Sequence, residues 1–278
     1  MFLADLRIRS TFSDGKLTIP EIVDFYGTRK FGAIAITDLL SESATLLGKT
    51  TVSLNRSLTN GMFAFYMGIL KSEAKRAWDQ YQMVLIPGLE LTQNSMIKAR
   101  AAQVIGLGIS EFINADQDVV ELAKKIHAQG GLAIAGNSRY LWERALEIQN
   151  DFDAWEMSRG KTLHRKLLRS TLRKGVGGFI RNPRHAGSWK SVFFCEKNQA
   201  AILSAIKEQK LCFVFHREGS NHDVHDWVDT HGNRYSDGSV PFLRDGTKSD
   251  SLPGHSRRSK RTGGLLARVR SQTPERRR

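Results

Sequence analysis

The sequence predicts an α/β fold, and two observations carry this prediction. Short apolar runs rich in Ile and Val alternate along the chain with segments of helical periodicity, which is typical of βα units around a parallel sheet. At 278 residues and 31.2 kDa, with 40% hydrophobic residues, the chain is long enough to bury a large core and to form one α/β barrel.

The apolar runs predict eight strands, at Phe2–Ile8, Ala33–Thr37, Met83–Leu91, Ala102–Leu107, Leu132–Ala135, Ala154–Glu156, Gly175–Ile180 and Cys212–His216. Helical periodicity predicts six helices, at Pro20–Lys30, Ser72–Tyr81, Gln117–Gln129, Leu141–Gln149, Leu163–Arg173 and Gln199–Glu208. The first helix has Thr18 as its expected N-cap and a proline at an early position. Residues 41–70 are less regular and fit an inserted helical pair or a lid.

The regular pattern ends near residue 218. Beyond it the sequence is rich in Gly, Ser and Asp without a sustained period, and it ends in an Arg-rich run. From Ser251 to Arg278 there are nine Lys and Arg against one Glu, so eight of the fourteen net positive charges lie there. We therefore expect a barrel domain over residues 1–218 and a disordered, low-complexity basic tail over residues 219–278.

The sequence favours a cytoplasmic protein with no membrane partner. No window approaches the roughly 18 apolar residues of a membrane span. The opening segment carries Asp5 and Arg7 where a signal peptide would have an apolar run. The sequence does not indicate an oligomeric state.

The first predicted strand raises a question of charge. It belongs to the stretch "DLRIRSTFSDG", in which strand alternation places Asp5, Arg7 and Arg9 on one face and Leu6 and Ile8 on the other. A helix is expected to cover this strand, so the arginines should be buried. Burying a guanidinium group without a partner costs several kcal/mol of folding free energy. The two arginines must therefore contact anionic groups.

Polar residues also follow several of the other predicted strands. In a βα barrel, functional residues lie where strands end and βα loops begin. The candidates at these places are Arg7, Arg9, Asp14, Asp38, Leu39, Glu90, Gln103, Asn137, Glu156, Phe179 and Arg181.

Five segments, in order, resemble successive motifs of the polymerase and histidinol phosphatase (PHP) superfamily. They are "ADLRIRSTFSDGKLT", "IAITDLL", "IPGLELT", "GGLAIAGNS" and "RNPRHAGSWKS", and the likeness extends from about Asp5 to Glu218. The nearest similarity is to the stand-alone phosphoesterase-like branch. The resemblance implies a distorted (β/α)7 TIM-like barrel, whose active members hold up to three Zn, Mn or Fe ions with nine side chains.

The resemblance also implies that most of these nine positions have changed. The family pattern has histidine at the positions of Arg7, Arg9, Leu39, Gln103, Asn137 and Arg181, and aspartate at that of Phe179. Only Asp14 and Glu90 keep the family residue. None of the eight histidines of this chain lies at a ligand position.

Metal chemistry gives these changes a meaning. Divalent ions are held by imidazole or carboxylate lone pairs. Leucine and phenylalanine have none to offer, and arginine is a permanent cation without a lone pair to donate. We therefore predict no metal and no cofactor, and no activated water for phosphate-ester hydrolysis.

Three interpretations of the arginines remain open. Arginine–carboxylate pairs replace the metals and hold the barrel mouth together, with Asp5, Asp14, Asp38, Glu90 and Glu156 as available partners. Alternatively, Arg7, Arg9 and Arg181 bind a phosphate-bearing ligand without cleaving it. In the third, the site is a partly destabilised relic that holds only water.

The functional hypothesis is a pseudo-phosphoesterase of the PHP superfamily. One rival is an active metal-dependent phosphoesterase that acts on small phosphate esters or nucleotides. The other is a protein that binds nucleic acid weakly and non-specifically through its basic tail. Lys190, in "SWKS", is expected to support the barrel rim or to contact a ligand.

Overall fold

The computed structural model describes residues 1–43, 49–51, 54, 56–93, 101–136, 138–156, 158–159, 162–163, 188–216, 227–229 and 234–235. Its strands are β1 (Phe2–Ile8), β2 (Ala33–Ser41), β3 (Val84–Gln93), β4 (Ala102–Leu107), β5 (Leu132–Ala135), β6 (Ala154–Trp155), β7 (Ser158–Arg159), β8 (Thr162–Leu163), β9 (Ser188–Phe193), β10 (Leu211–His216), β11 (Trp227–Asp229) and β12 (Arg234–Tyr235). Its helices are α1 (Ile19–Gly27), α2 (Asn60–Tyr81), α3 (Val119–Ala128), α4 (Arg139–Glu143), α5 (Ala145–Ile148) and α6 (Gln199–Lys207).

Ten of these strands form one mixed sheet in the order β12-β11-β10-β9-β1-β2-β3-β4-β5-β6, and β7 pairs with β8 in a separate hairpin. Pairing is parallel within β1-β2-β3 and between β5 and β6, and antiparallel elsewhere in the sheet. The expectation of a parallel sheet is therefore wrong for six of the nine strand pairings described. A parallel crossover needs about a dozen residues, and the link from β3 to β4 is shorter than that.

The fold class is α/β, as the sequence predicts, but the described strands do not close into a full barrel. β6 and β12 are the two edges of the sheet. β11 and β12 lie beyond residue 218 and extend the sheet past the expected domain boundary. The predicted strand at 175–180 and the basic end of the chain lie outside the described residues.

Helices α1 and α2 pack against each other beside the parallel strands. Thr18 caps α1, as its sequence predicts, through a capping box in which the Thr18 side chain accepts from the backbone N–H of Glu21 and the Glu21 side chain accepts from that of Thr18. The buried Tyr66 of α2 donates its hydroxyl hydrogen towards the carbonyl oxygens of Ile36 and Gly88, at 3.2 and 3.1 Å.

The observed elements differ from the predicted ones in several places. The single helix predicted over Leu141–Gln149 is two short helices, α4 and α5. Helix α2 begins at Asn60 instead of Ser72, because Gly61 and Gly68 weaken the helical signal of its first half. Strand β9 was not among the predicted strands. The predicted helix from Leu163 begins at a residue that lies in β8, and its remainder lies outside the described residues.

No helix in the described ranges combines the length and the apolar character that a membrane span requires.

The core lies between the sheet and its helices, with fully buried side chains such as Ile22, Tyr26, Leu89 and Ile126.

Gly88 provides a test of the packing between neighbouring strands. A Cβ atom at this position would lie 2.7 Å from the carbonyl oxygen of Gly106 and from Cγ2 of Thr37, whereas one at Gly68 in α2 would meet no atom within 4 Å. We expect Gly88→Ala to lower the free energy of unfolding by about 1–3 kcal/mol. Gly68→Ala should raise it by about 0.5–1 kcal/mol, because alanine favours the helix. Urea denaturation measures both, and a Gly88→Ala variant as stable as the parent protein would contradict this packing.

Candidate functional site

The carboxyl end of β1 brings two arginines into the interior of the molecule. Arg7 lies in β1 and Arg9 directly after it, and only 4% and 1% of their surfaces are exposed. The charged side chains that bind them are Asp14, Glu90 and Glu156, and we call these five residues the arginine cluster.

Glu90 of β3 is the centre of the arginine cluster. Its Oε2 accepts from Nε of Arg7 at 2.9 Å and from Nε of Arg9 at 3.0 Å. Its Oε1 accepts from Nη2 of Arg7 at 2.6 Å and also from Nη2 of Arg9. Both guanidinium groups therefore bind the same carboxylate in a bidentate manner, which is the strongest geometry available to an arginine–carboxylate pair.

Glu156, directly after β6, accepts from Nη1 of Arg7. Strands β1 and β6 are separated by four other strands, so a flat sheet would hold them about 24 Å apart. An arginine and a glutamate cannot span that distance. The sheet must therefore be strongly curled, and this ion pair crosses its concave side.

Gln103 reaches the cluster because β4 is antiparallel to β3. The pairing of Thr92 with Gln103 places the beginning of β4 beside the end of β3. Oε1 of Gln103 accepts from Nη2 of Arg7 at 3.1 Å. An antiparallel strand thus contributes its first residues, and not its last, to this end of the sheet.

Asp14 lies on the loop between β1 and α1 and accepts from Nη1 of Arg9 at 2.6 Å. The loop is tight: the backbone N–H groups of Ser13 and Gly15 both donate to the carbonyl oxygen of Ser10, at 3.1 and 3.0 Å. A Cβ atom at Gly15 would lie 2.1 Å from the carbonyl oxygen of Arg9, so only glycine fits there.

Asp38 of β2 anchors this loop through hydrogen bonds to two of its serines. Its carboxylate accepts from the backbone N–H of Ser10 at 2.8 Å and from the hydroxyls of Ser10 and Ser13, each at 2.6 Å. Complete burial raises the pKa of Asp38 to about 6, although these hydrogen bonds and the charge of Arg9 act in the opposite direction. Neither serine was among the predicted site residues, because their only signal in the sequence is their position in a turn before Asp14.

The other candidates have different environments. Leu39 is buried in β2 opposite Glu90 and offers the site only hydrocarbon. Asn137, Phe179 and Arg181 lie outside the described residues. The structure thus brings together Arg7, Arg9, Asp14, Glu90, Gln103 and Glu156, with Asp38 beneath the loop.

Asp5 does not share the partners of the two arginines. The pairing of β1 with β2 is irregular between Asp5 and Ile8, which breaks the simple alternation expected from the sequence. Oδ2 of Asp5 instead accepts from the hydroxyl of Tyr26 at 2.7 Å and from the ammonium group of Lys190 in β9. Burial lowers the pKa of Lys190, and Asp5 opposes this effect. Lys190 therefore joins β9 to β1 as a buried ion pair.

The electrostatics of the arginine cluster favour ionised groups. Burial by itself would raise the pKa of Glu90, but the charges and hydrogen bonds of Arg7 and Arg9 lower it to about 2. Burial likewise opposes the charge of Arg7, whose pKa is nevertheless raised by Glu156 and Glu90. Two cations and three carboxylates give the cluster a net charge of about −1.

The residues of the cluster do not fit a metal centre. Each oxygen of Glu90 already accepts from both arginines, and a divalent ion there would lie beside two permanent cations. Within the described part of the chain, no group of three or more His, Cys, Asp or Glu side chains is placed to hold an ion.

No family model and no curated protein matches the chain. Among solved structures, a two-domain protein from Bacteroides vulgatus ATCC 8482, described as containing a predicted PHP-like metal-dependent phosphoesterase, matches with a TM-score of 0.57 and 17% identity over 77% of this chain. The chain spans 65% of that protein, less than two thirds of its length. An amidohydrolase from Chromobacterium violaceum with bound sulfate and no metal matches with a TM-score of 0.44 and 14% identity, over 65% of this chain and 88% of its own. The match to the Bacteroides vulgatus structure shows that the chain has a PHP-like α/β fold.

Glu90→Gln tests the central pairing through the pH dependence of stability. The pKa of Glu90 is about 2 in the folded protein, against an ordinary value of 4.5, so its ionised form stabilises the fold fully above about pH 4.5. This contribution is lost as the pH falls towards 2. At pH 7 we expect the variant to be less stable than the parent by about 3 kcal/mol or more, because two buried guanidinium groups lose a charged partner.

Urea denaturation of both proteins between pH 7 and pH 2.5 measures this difference, which should shrink as the pH falls below 4.5. Glu143→Gln, which removes the carboxylate of an exposed pair with Arg139, is the matched control and should leave stability unchanged. A difference for Glu90→Gln that stays constant with pH would contradict the assigned pairing.

Proposed function

We propose that this chain is a PHP-fold protein that does not hydrolyse phosphate esters through metal ions, and that the arginine cluster stands where metal-dependent relatives hold their ions. The observation that supports this most strongly is the double bidentate grip of Arg7 and Arg9 on Glu90. A carboxylate engaged in this way has no oxygen available to a divalent ion.

The charges of the neighbouring groups support the same proposal. Asp14, the other residue that keeps the family identity, accepts from Arg9 at 2.6 Å. A metal ion at Asp14 and Glu90 would have to displace two guanidinium groups that are at most 4% exposed. Those groups would then be buried without their partners, which is strongly destabilising.

Without metal-dependent hydrolysis, the arginine cluster would serve to stabilise the fold or to bind a ligand. The arginine cluster joins β1 to β3 and β6 across the concave side of the sheet and so stabilises its curvature. The proposal of a phosphate-bearing ligand requires that a carboxylate give up its place on an arginine. The proposal of nucleic-acid binding rests on the sequence of the tail alone.

Metal analysis combined with a hydrolysis assay tests the proposed function. The full chain, produced with added Mn²⁺ and Zn²⁺ and then desalted, should retain less than one equivalent of metal and should not turn over para-nitrophenyl phosphate above buffer. The double variant Arg7→His/Arg9→His supplies two imidazoles and removes two cations, so it should bind Mn²⁺ or Zn²⁺ more tightly than the parent. Stoichiometric metal together with turnover in the parent protein would refute the proposal.

A further inference from the structure

We propose that the carboxylate of Asp14 occupies an oxyanion site on Arg9, and that a free oxyanion such as inorganic phosphate competes with it for the guanidinium group. The inference rests on the proposed function, because it needs a guanidinium group at the place where metal-dependent relatives hold their ions.

Asp14 differs from the other two carboxylates of the cluster in exposure. Its side chain is 24% exposed, whereas those of Glu90 and Glu156 are 0% and 4% exposed. It also lies on a loop, while Glu90 lies in β3 and Glu156 directly follows β6. Asp14 is therefore the carboxylate that solvent, and a dissolved anion, can reach.

The guanidinium group of Arg9 presents a defined donor to this position. Glu90 accepts from its Nε and Nη2, and Nη1 donates to the partly exposed Asp14. An oxygen of phosphate or of another oxyanion fits the same donor with the same charge complementarity as a carboxylate. Glu90 fixes the orientation of the guanidinium plane, so the donor stays in place when Asp14 leaves.

The loop backbone is also fixed independently of Asp14. Ser10 accepts from two backbone N–H groups of the loop, and Asp38 accepts from Ser10 and Ser13. The loop backbone can therefore keep its conformation when the contact between Asp14 and Arg9 is broken. The vacated position keeps its shape, and a preorganised site of this kind binds with a smaller entropic cost.

The net charge of the cluster explains why Asp14 regulates this site. With Asp14 ionised and bound, the cluster carries about one negative charge and repels a second anion. With Asp14 neutralised or removed, the cluster becomes electrically neutral and Nη1 of Arg9 loses its carboxylate partner. Asp14 thus acts as an internal competitor of the ligand.

Isothermal titration calorimetry with inorganic phosphate tests the proposal on the full chain after chelator treatment, at pH 7.5 and constant ionic strength. We expect Asp14→Ala and Asp14→Asn to bind phosphate about tenfold or more tightly than the parent protein, since each removes a competing charge. Asp79→Ala, which removes a carboxylate from the exposed pair with Lys75, is the matched control for net charge and should bind as the parent does. Adding Arg9→Gln to Asp14→Asn should abolish the gain.

Two outcomes would overturn the inference: Asp14→Asn binding phosphate no better than the parent, or a gain that survives Arg9→Gln or appears equally in Asp79→Ala. Asp14→Asn keeps the size of the side chain, so its phosphate affinity tests the inference if the Asp14→Ala protein is unstable. Methyl phosphate is titrated in parallel, and a gain for both anions assigns the site to esterified as well as free phosphate. Because metal is removed, a negative result here leaves the proposed function standing, whereas metal-dependent turnover refutes the proposed function by itself.

Discussion

The ion pairs of Glu90 with Arg7 and Arg9 are the interaction on which the rest of this site depends. They take two guanidinium groups and a carboxylate out of water, and each group is tolerated only because the others are present. Through Arg7 the same network reaches Glu156 across the concave side of the sheet. The same ion pairs therefore neutralise the buried arginines and hold the sheet in its curved form.

This arrangement also constrains the chemistry. Metal-dependent hydrolysis requires lone pairs directed at an ion and a water molecule that the ion activates. In this chain the lone pairs of Glu90 are directed at N–H groups of the two arginines. Leu39, which pairs with Glu90 in the neighbouring strand, has a hydrocarbon side chain and offers no lone pair. Asp14 is the partly exposed carboxylate of the cluster, and its contact with Arg9 is the one that we propose to exchange with an anion.

Much of the fold could be predicted from local sequence, because apolar runs and caps are local signals. The bounds of β1, β4 and β5 match the predicted ones, and Thr18 caps α1 as expected. The antiparallel direction of β4 is not encoded in its own residues. Strand β9 escaped prediction because Lys190 is compatible with a buried strand only through Asp5, a partner 185 positions away in the chain. For the site, the polar residues at strand ends were visible in the sequence, but the shared use of one carboxylate by two arginines depends on tertiary geometry.

Anomalous diffraction from crystals of the full chain grown with excess Mn²⁺ tests the central claim most directly, since it locates ions and side chains in one experiment. The account predicts no anomalous peak within the arginine cluster, with the guanidinium groups of Arg7 and Arg9 both in contact with the carboxylate of Glu90. Manganese ions bridged by Asp14 and Glu90, with the arginines displaced from that carboxylate, would contradict it.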